Sequence, residues 1–261
     1  MTIERALSAA LILLLLLASD YALTAPSASE RRHVLSIDGT AVGSAHEVHG
    51  RRDEQRVTSE SVVMVINRLD TRIETSTYQE SIERAEGELL AVRPDIQTSD
   101  QLMTTEAHRD GDEWVTRSQM PDVPDWRRAL SGPLKGPAAV ADLLADLSSP
   151  GDSIRYETFV AMTMQIGEVR AELVGFETVG EESLRVVEEY LPGLPAPLTR
   201  VIDPNGRNVI TRMPGPFGIT ETVIADEVAA ALARSGAELP DEIFEATILK
   251  TGVRLPTPRR M

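Results

Sequence analysis

From His33 to Gln119 the hydrophobic and polar positions read as consecutive strands separated by turn dipeptides. In Val57–Asn67, for instance, Val57, Ser59, Ser61, Val63 and Val65 share one face while Val62, Met64 and Ile66 share the other. Alternation of this kind, carried by Val, Ile, Thr and Ser, suits a pleated surface. Asp38-Gly39 and Asp110-Gly111 supply the positive φ that tight hairpins require, and Glu86-Gly87 is a weaker signal of the same sort. Arg72–Glu83, Leu89–Thr98, Gln101–His108 and Glu113–Gln119 continue the pattern, which predicts an antiparallel meander with one face on a core and one on solvent.

The prolines and glycines between Met120 and Pro137 then predict an irregular connector, with Trp126 anchoring it on the sheet. Beyond it Val140, Leu143, Leu144 and Leu147 fall at i, i+3, i+4 and i+7, so the spacing predicts a helix over Ala138–Leu147. Strands follow at Ser153–Thr163, Gln165–Thr178, Ser183–Leu191, Leu198–Asp203, Arg207–Met213 and Phe217–Ala225, with Asp203-Pro204-Asn205-Gly206 as a specific turn. Asp226 caps a short second helix over Glu227–Arg234 that Gly236 stops, and 237–261 reads as a tail or linker. The expected fold is mainly β: a curved antiparallel sheet or half-barrel spanning 29–236, with one covering helix and a short C-terminal one.

The segment 1–28 differs in kind. Ala6–Ala18 is an apolar run of 13 residues, too short to span a membrane at roughly 20 residues per crossing, and Asp20 interrupts it. It reads as a signal peptide cleaved between Ala22 and Ser29, which places the mature protein outside the cytoplasm. Across all 261 residues, 26 Lys+Arg against 41 Asp+Glu give a formal charge of −15, which disfavours nucleic acid and anionic membrane surfaces. The membrane contact expected is therefore only through the signal segment. The absence of cysteine removes thiolate catalysis, cysteine zinc sites and disulfides.

The stretch Ile37-Asp38-Gly39-Thr40-Ala41-Val42-Gly43-Ser44-Ala45-His46-Glu47, with Asn67-Arg68 after it, resembles the opening of the β-rich N-terminal region of exported bacterial transglutaminase-like proteins of the cysteine peptidase fold. Met213-Pro214-Gly215-Pro216-Phe217-Gly218, the Ala-rich short helix and Ile248–Pro258 look like the end of that region, so the resemblance covers about Arg32–Pro258. It implies a non-catalytic extracytoplasmic domain whose curved sheet is similar to those of periplasmic lipoprotein carriers. The family's catalytic half carries Cys, His and Asp. With no cysteine here its activity does not carry over, and the resemblance implies either a stand-alone relative or an accessory domain lacking the catalytic half.

Candidate chemistry is sparse. His46 and His49 fall on opposite faces of a strand, so no metal site is expected from them, and Asp110, Asp112 and Glu113 lack the ligand spacing of a calcium loop. Neither a serine-nucleophile elbow nor a phosphate loop is present, so no catalytic residue and no cofactor is assigned. A hydrolase with an unrecognised carboxylate pair stays open among the 41 acidic residues. The favoured reading is a binding or accessory module of the cell envelope, its partner an apolar ligand or an envelope protein. The ligand groove would lie under the helix, lined by Trp114, Trp126, Leu143, Leu147, Phe159 and Phe217.

Overall fold

The computed structural model describes residues 29–68, 71–98, 101–119, 124–215, 218–225, 230, 233 and 237–238. The expected signal peptide, Phe217 and nearly all of the tail lie outside the described residues. Of the expected second helix, Ala230 and Ala233 are described, both helical and both buried.

The strands are β1 (Ser29–Ile37), β2 (Thr40–Arg52), β3 (Gln55–Arg68), β4 (Thr71–Arg84), β5 (Leu89–Thr98), β6 (Gln101–Asp110), β7 (Glu113–Ser118) and β8 (Trp126–Ala129). Helix α1 (Pro137–Ala145) follows, then β9 (Ser153–Val160), β10 (Gln165–Val179), β11 (Glu182–Tyr190), β12 (Leu198–Ile202), β13 (Asn208–Gly215), β14 (Gly218–Ala225) and β15 (Ala237–Glu238). Each of β1–β14 pairs antiparallel with its neighbour in sequence, except across α1, and β14 returns to pair with β1. One sheet results, running β8 through β1 and then β14 through β9, with β15 added parallel to β3. The path is open, because β8 and β9 at its two ends are not paired with each other. The expected curved antiparallel sheet is thus what the chain forms.

Two details depart from the sequence reading. The connector between Met120 and Pro137 contains a strand, β8, which pairs with β7 through Thr116 and Trp126; flanking prolines hide a run of only four residues. The tail also contributes, since Ala237 and Glu238 pair with Ile66 and Asn67. The turns behave as the dipeptides require, with φ of 45° at Asp38 and 81° at Gly39. A further reversal carries no glycine: Asp53 takes φ 55° itself, a conformation that Asp tolerates better than most residues.

Because the meander is regular, successive reversals alternate between two ends of the sheet. One end carries the links β1–β2, β3–β4, β5–β6, β9–β10, β11–β12 and β13–β14, and near it Leu102 and Met162 stand 63% and 61% exposed, with Ile73 and Ile219 also exposed. We call this end the mouth. The opposite end is blocked by α1, whose Val140 and Leu144, with Leu147 just beyond it, pack on Tyr156, Val169, Ala171, Leu173, Val187 and Ile202 of the inner face. A second cluster bridges the unpaired ends of the sheet: Trp114 and Trp126 lie 5.5 and 6.4 Å from the Phe159 ring, among Leu89, Val92, Ala107, Leu134 and Ile166. A third, of Leu35, Ile37, Val42 and Ile66, sits near the mouth.

Helix α1 has no side-chain cap of its own, and only the Asp146 and Leu147 N–H groups close its last turn locally, on the Leu143 and Leu144 carbonyls. Gly136 at its N-cap offers no side chain, and its first and last turns contain no acidic and no basic residue respectively. Strand residues supply both caps. Glu83 on β4 accepts the N–H groups of Ala138 (2.8 Å) and Ala139 (3.1 Å). Arg185 on β11 donates to the carbonyls of Ala145 (2.6 Å) and Leu147 (2.7 Å), and also to that of Asp203 (2.8 Å). A negative charge thus meets the N-terminus of the helix and a positive one its C-terminus, as the helix dipole favours. Gly206 in the β12–β13 turn completes the fit. Its φ is 74°, and a Cβ there would lie 1.9 Å from the Ala141 carbonyl oxygen.

Glu83 is fully buried, and burial pushes its carboxyl above the usual range against the pull of the two N–H groups and of Arg56. Its loss strands two buried N–H groups. Glu83→Ala is therefore expected to destabilise the fold by about 3 kcal/mol and to lower Tm by roughly 10 °C in thermal unfolding. Asp142→Ala, which breaks the neighbouring ion pair with Arg56 at a side chain 70% exposed, should change stability by less than about 0.5 kcal/mol. Equal effects of the two substitutions would contradict the capping role.

Candidate functional site

Strand register decides which side chains face the concavity. His49 stands opposite Thr58, Glu47 opposite Glu60, and Ala45 opposite both Val62 and His33. Glu60 is in turn opposite Gln79, and Thr58 opposite Ser81. On the other limb Arg200 is opposite both Val187 and Thr211, and Thr211 is opposite Thr222. The middle of the inner face is therefore polar, between apolar clusters at the mouth, beneath α1 and at the seam of the sheet.

These residues line a lumen of adjoining compartments. Its innermost compartment, about 180 Å³, lies beneath α1 against Val140, Leu144, Leu89, Val92 and Phe159. A middle compartment of about 230 Å³ is lined by His33, Glu47, Thr58, Glu60, Thr211 and Thr222. The outer one, about 520 Å³, reaches the mouth past Leu35, Val62, Ile96, Leu198 and Met213. Gln79, Arg200 and Asn208 line all three compartments. The outer volume alone falls within the range of small-molecule sites.

The charges inside form two groups. In the first, Glu189 is fully buried; it accepts from the Tyr156 hydroxyl (2.9 Å) and from Arg200 Nε (2.6 Å). Burial drives the Tyr156 hydroxyl far above its ordinary range, and the Glu189 charge adds to that. For Arg200 burial works against the charge, but Glu189 and Tyr156 more than offset it. In the second group, Glu47 has His49 Nε2 at 2.9 Å and His33 Nε2 at 4.0 Å. The His49 approach is off the N–H direction, so it is a charge contact and not an aligned hydrogen bond. Burial alone would raise Glu47; His49 and His33 outweigh it and hold the carboxyl below its usual value. His33 is itself shifted down by burial, against the pull of Glu47.

Glu60 differs from both groups. Its side chain is exposed, opening on the lumen, and the density of surrounding protein pushes its carboxyl up, with the facing Glu47 adding to the effect and Arg200 and His49 opposing it.

The residues expected to line a groove fall in several places. Trp114, Trp126 and Phe159 pack together at the seam, and of the three only Phe159 borders the lumen. Leu147, with Leu143 beside it, is packed in the cluster beneath and beyond α1. His46 and His49 do face opposite ways, His46 meeting Glu30 and His49 meeting Glu47. Among the described residues, no group of three or more His, Asp and Glu side chains is arranged to hold a metal. The lumen residues His33, Glu47, Glu60, Gln79 and Arg200 were not singled out from sequence. The signal was present in β3, where Thr58, Glu60 and Val62 share a face, but only strand pairing shows which face is concave.

No family model matches this sequence, and no curated protein is similar to it in sequence. Among solved structures, the fold is similar to a beta-barrel-like protein of the domain of unknown function DUF1849 from Brucella abortus, at TM-score 0.54 and 11% identity, covering 77% of this chain and 96% of that one. A DUF1089 family protein from Pseudomonas aeruginosa is more distant, at TM-score 0.37 and 13% identity over 63% of this chain and 87% of that one. The first likeness shows a shared barrel-like fold.

A carboxyl whose pKa is raised on folding contributes most below its unfolded value of about 4.5, and that contribution is lost as pH rises through the folded value. Glu60→Gln removes this loss. The Tm difference, variant minus parent, is expected to be near zero at about pH 4 and positive at pH 7. Asp203, shifted the other way, loses its contribution as pH falls, but it is common to both proteins and cancels, while relief of Glu47 from the facing Glu60 charge adds to the positive difference at pH 7. A negative difference at pH 7 would show that Glu60 is stabilised by a partner in the fold.

Proposed function

We propose that this chain is a non-catalytic binding module of the bacterial cell envelope, exported by its N-terminal segment, which holds a small amphipathic ligand in the lumen of its open sheet. The observation that carries this reading is the lumen's run of adjoining compartments, which share Gln79, Arg200 and Asn208 from α1 to the mouth. It is stopped by α1 at one end, opens at a mouth with exposed apolar side chains at the other, and passes from polar to apolar lining on the way out. A wholly apolar guest would desolvate Glu47, Glu60 and Arg200 without return, so the expected ligand carries a polar group. Mature protein purified from the envelope is expected to show, in native mass spectrometry, a bound species of small-molecule mass that denaturation releases. Thr222→Trp, which fills the middle of the lumen, should abolish that adduct at unchanged Tm. An apo mass for the parent protein, before and after incubation with an envelope extract, would sink the proposal.

A second reading rests on one observation: Glu47 and Glu60 oppose each other on adjacent strands, and their environments push the carboxyls in opposite directions. Such a pair suits hydrolysis, with Glu60 as general acid and Glu47 as base. Turnover of chromogenic glycosides, lost in both Glu47→Gln and Glu60→Gln, would support it, and rates no higher than in buffer across the panel would exclude it.

A further inference from the structure

The lumen also carries a chemical preference. Glu189 is engaged by Tyr156 and Arg200, and Glu47 by the two histidines. Among the described residues, Glu60 makes no hydrogen bond and no ion pair. Asn208 Oδ1, buried and lining the same compartments, also has no partner. Asp95 Oδ1, buried at the outer compartment, has no partner either; all three unanswered groups accept hydrogen bonds, and two of them are ionisable. Arg200 is the only arginine or lysine lining the middle and outer compartments among the described residues, and Glu189 already compensates its charge. From Glu60 outward the wall carries the apolar Leu35, Val62, Ile96, Leu198 and Met213 among Thr77, Asp95 and Thr220.

We propose that the lumen takes an amphipathic cation, a protonated primary amine whose N–H groups meet the Glu60 carboxylate and Asn208 Oδ1 while its alkyl portion lies along the apolar wall toward the mouth. This rests on the reading of the lumen as a binding site and names the class of its ligand. An ammonium group has three donors and no acceptor, which matches unpartnered acceptors, whereas a carboxylate or sulfate would add a third anion beside Glu47 and Glu60. The groups that face Glu60 are Glu47 and His49 of β2, His33 of β1 and Arg200 of β12, with neutral Gln79, Thr211 and Thr222 completing the ring. In this ring burial and Glu47 keep the Glu60 charge costly in the empty protein. A residue that costs stability where nothing local repays it is the pattern expected of a group retained for binding.

The test uses three probes of equal chain length, octylammonium, octanoate and octanol, titrated calorimetrically at pH 7 below micelle-forming concentrations. The expected result is that octylammonium binds at least tenfold more tightly than either other probe. Glu60→Gln should weaken it at least tenfold with Tm unchanged or higher, which a structural role for Glu60 would not produce. Tighter binding of octanoate or octanol, or an octylammonium affinity that Glu60→Gln leaves unchanged, overturns the cation proposal and leaves the lumen standing as a binding site. Binding of none of the three, together with an apo mass for the protein from the envelope, overturns both.

Discussion

The fold depends on how helix α1 is held. Nine residues with no capping side chain at the N-terminus make a helix that would be marginal alone. It persists because two strands from opposite limbs of the sheet each present the charge that one helix end requires. Glu83 belongs to the β1–β8 limb and Arg185 to the β9–β14 limb. The helix is thus a strut between limbs, and its two caps join parts of the sheet that share no backbone ladder. Asp203 adds a third tie. Burial would raise its carboxyl, but Arg31 of β1 and the turn N–H groups of Arg207 and Asn205 hold it down, and this ties the β12–β13 turn to β1.

With the far end closed by the strut, the cost of burial falls on the middle of the lumen. A sheet of this size could fill its concavity with aliphatic side chains; this one places Glu47, Glu60, Glu189, Arg200 and two histidines there. Most of these charges are matched internally, at distances from 2.6 to 4.0 Å. Internal matching gives a defined polar surface instead of a collapsed core, and it makes the unmatched positions informative.

Much of the fold was legible in the sequence, and for a simple reason. Strands joined by Asp-Gly and Asn-Gly turns announce themselves locally, and the stripe Val140, Leu144, Leu147 marks α1 within a residue or two of its observed bounds. Features depending on distant partners were not legible. Nothing near Gly136 signals that Glu83, more than fifty residues earlier, caps the helix, and the four residues of β8 are too few to show a period. The lumen was obscured by the usual rule that apolar faces point inward. In β3 the inner face carries Thr58 and Glu60, while Val57 and Val63 lie on the outer one. The aromatic residues chosen from sequence as a ligand surface lie largely at the seam because they are bulky enough to fill the gap between unpaired strands.

That seam has a mechanical consequence. In a barrel closed by backbone hydrogen bonds, strand number and stagger fix the circumference. Here the circuit between β8 and β9 is completed by rings and aliphatic side chains, Trp114, Trp126, Phe159, Leu134 and Ile166, by Arg128 donating to the Ile166 carbonyl, and by the Leu134–Lys135 segment, whose main chain bonds Leu89 on one side and Glu157 on the other. Side-chain contacts can slide by a fraction of an ångström where a ladder must break or hold. The girth of the lumen at this one place along its perimeter is therefore set by packing and a few hydrogen bonds, and elsewhere by strand ladders.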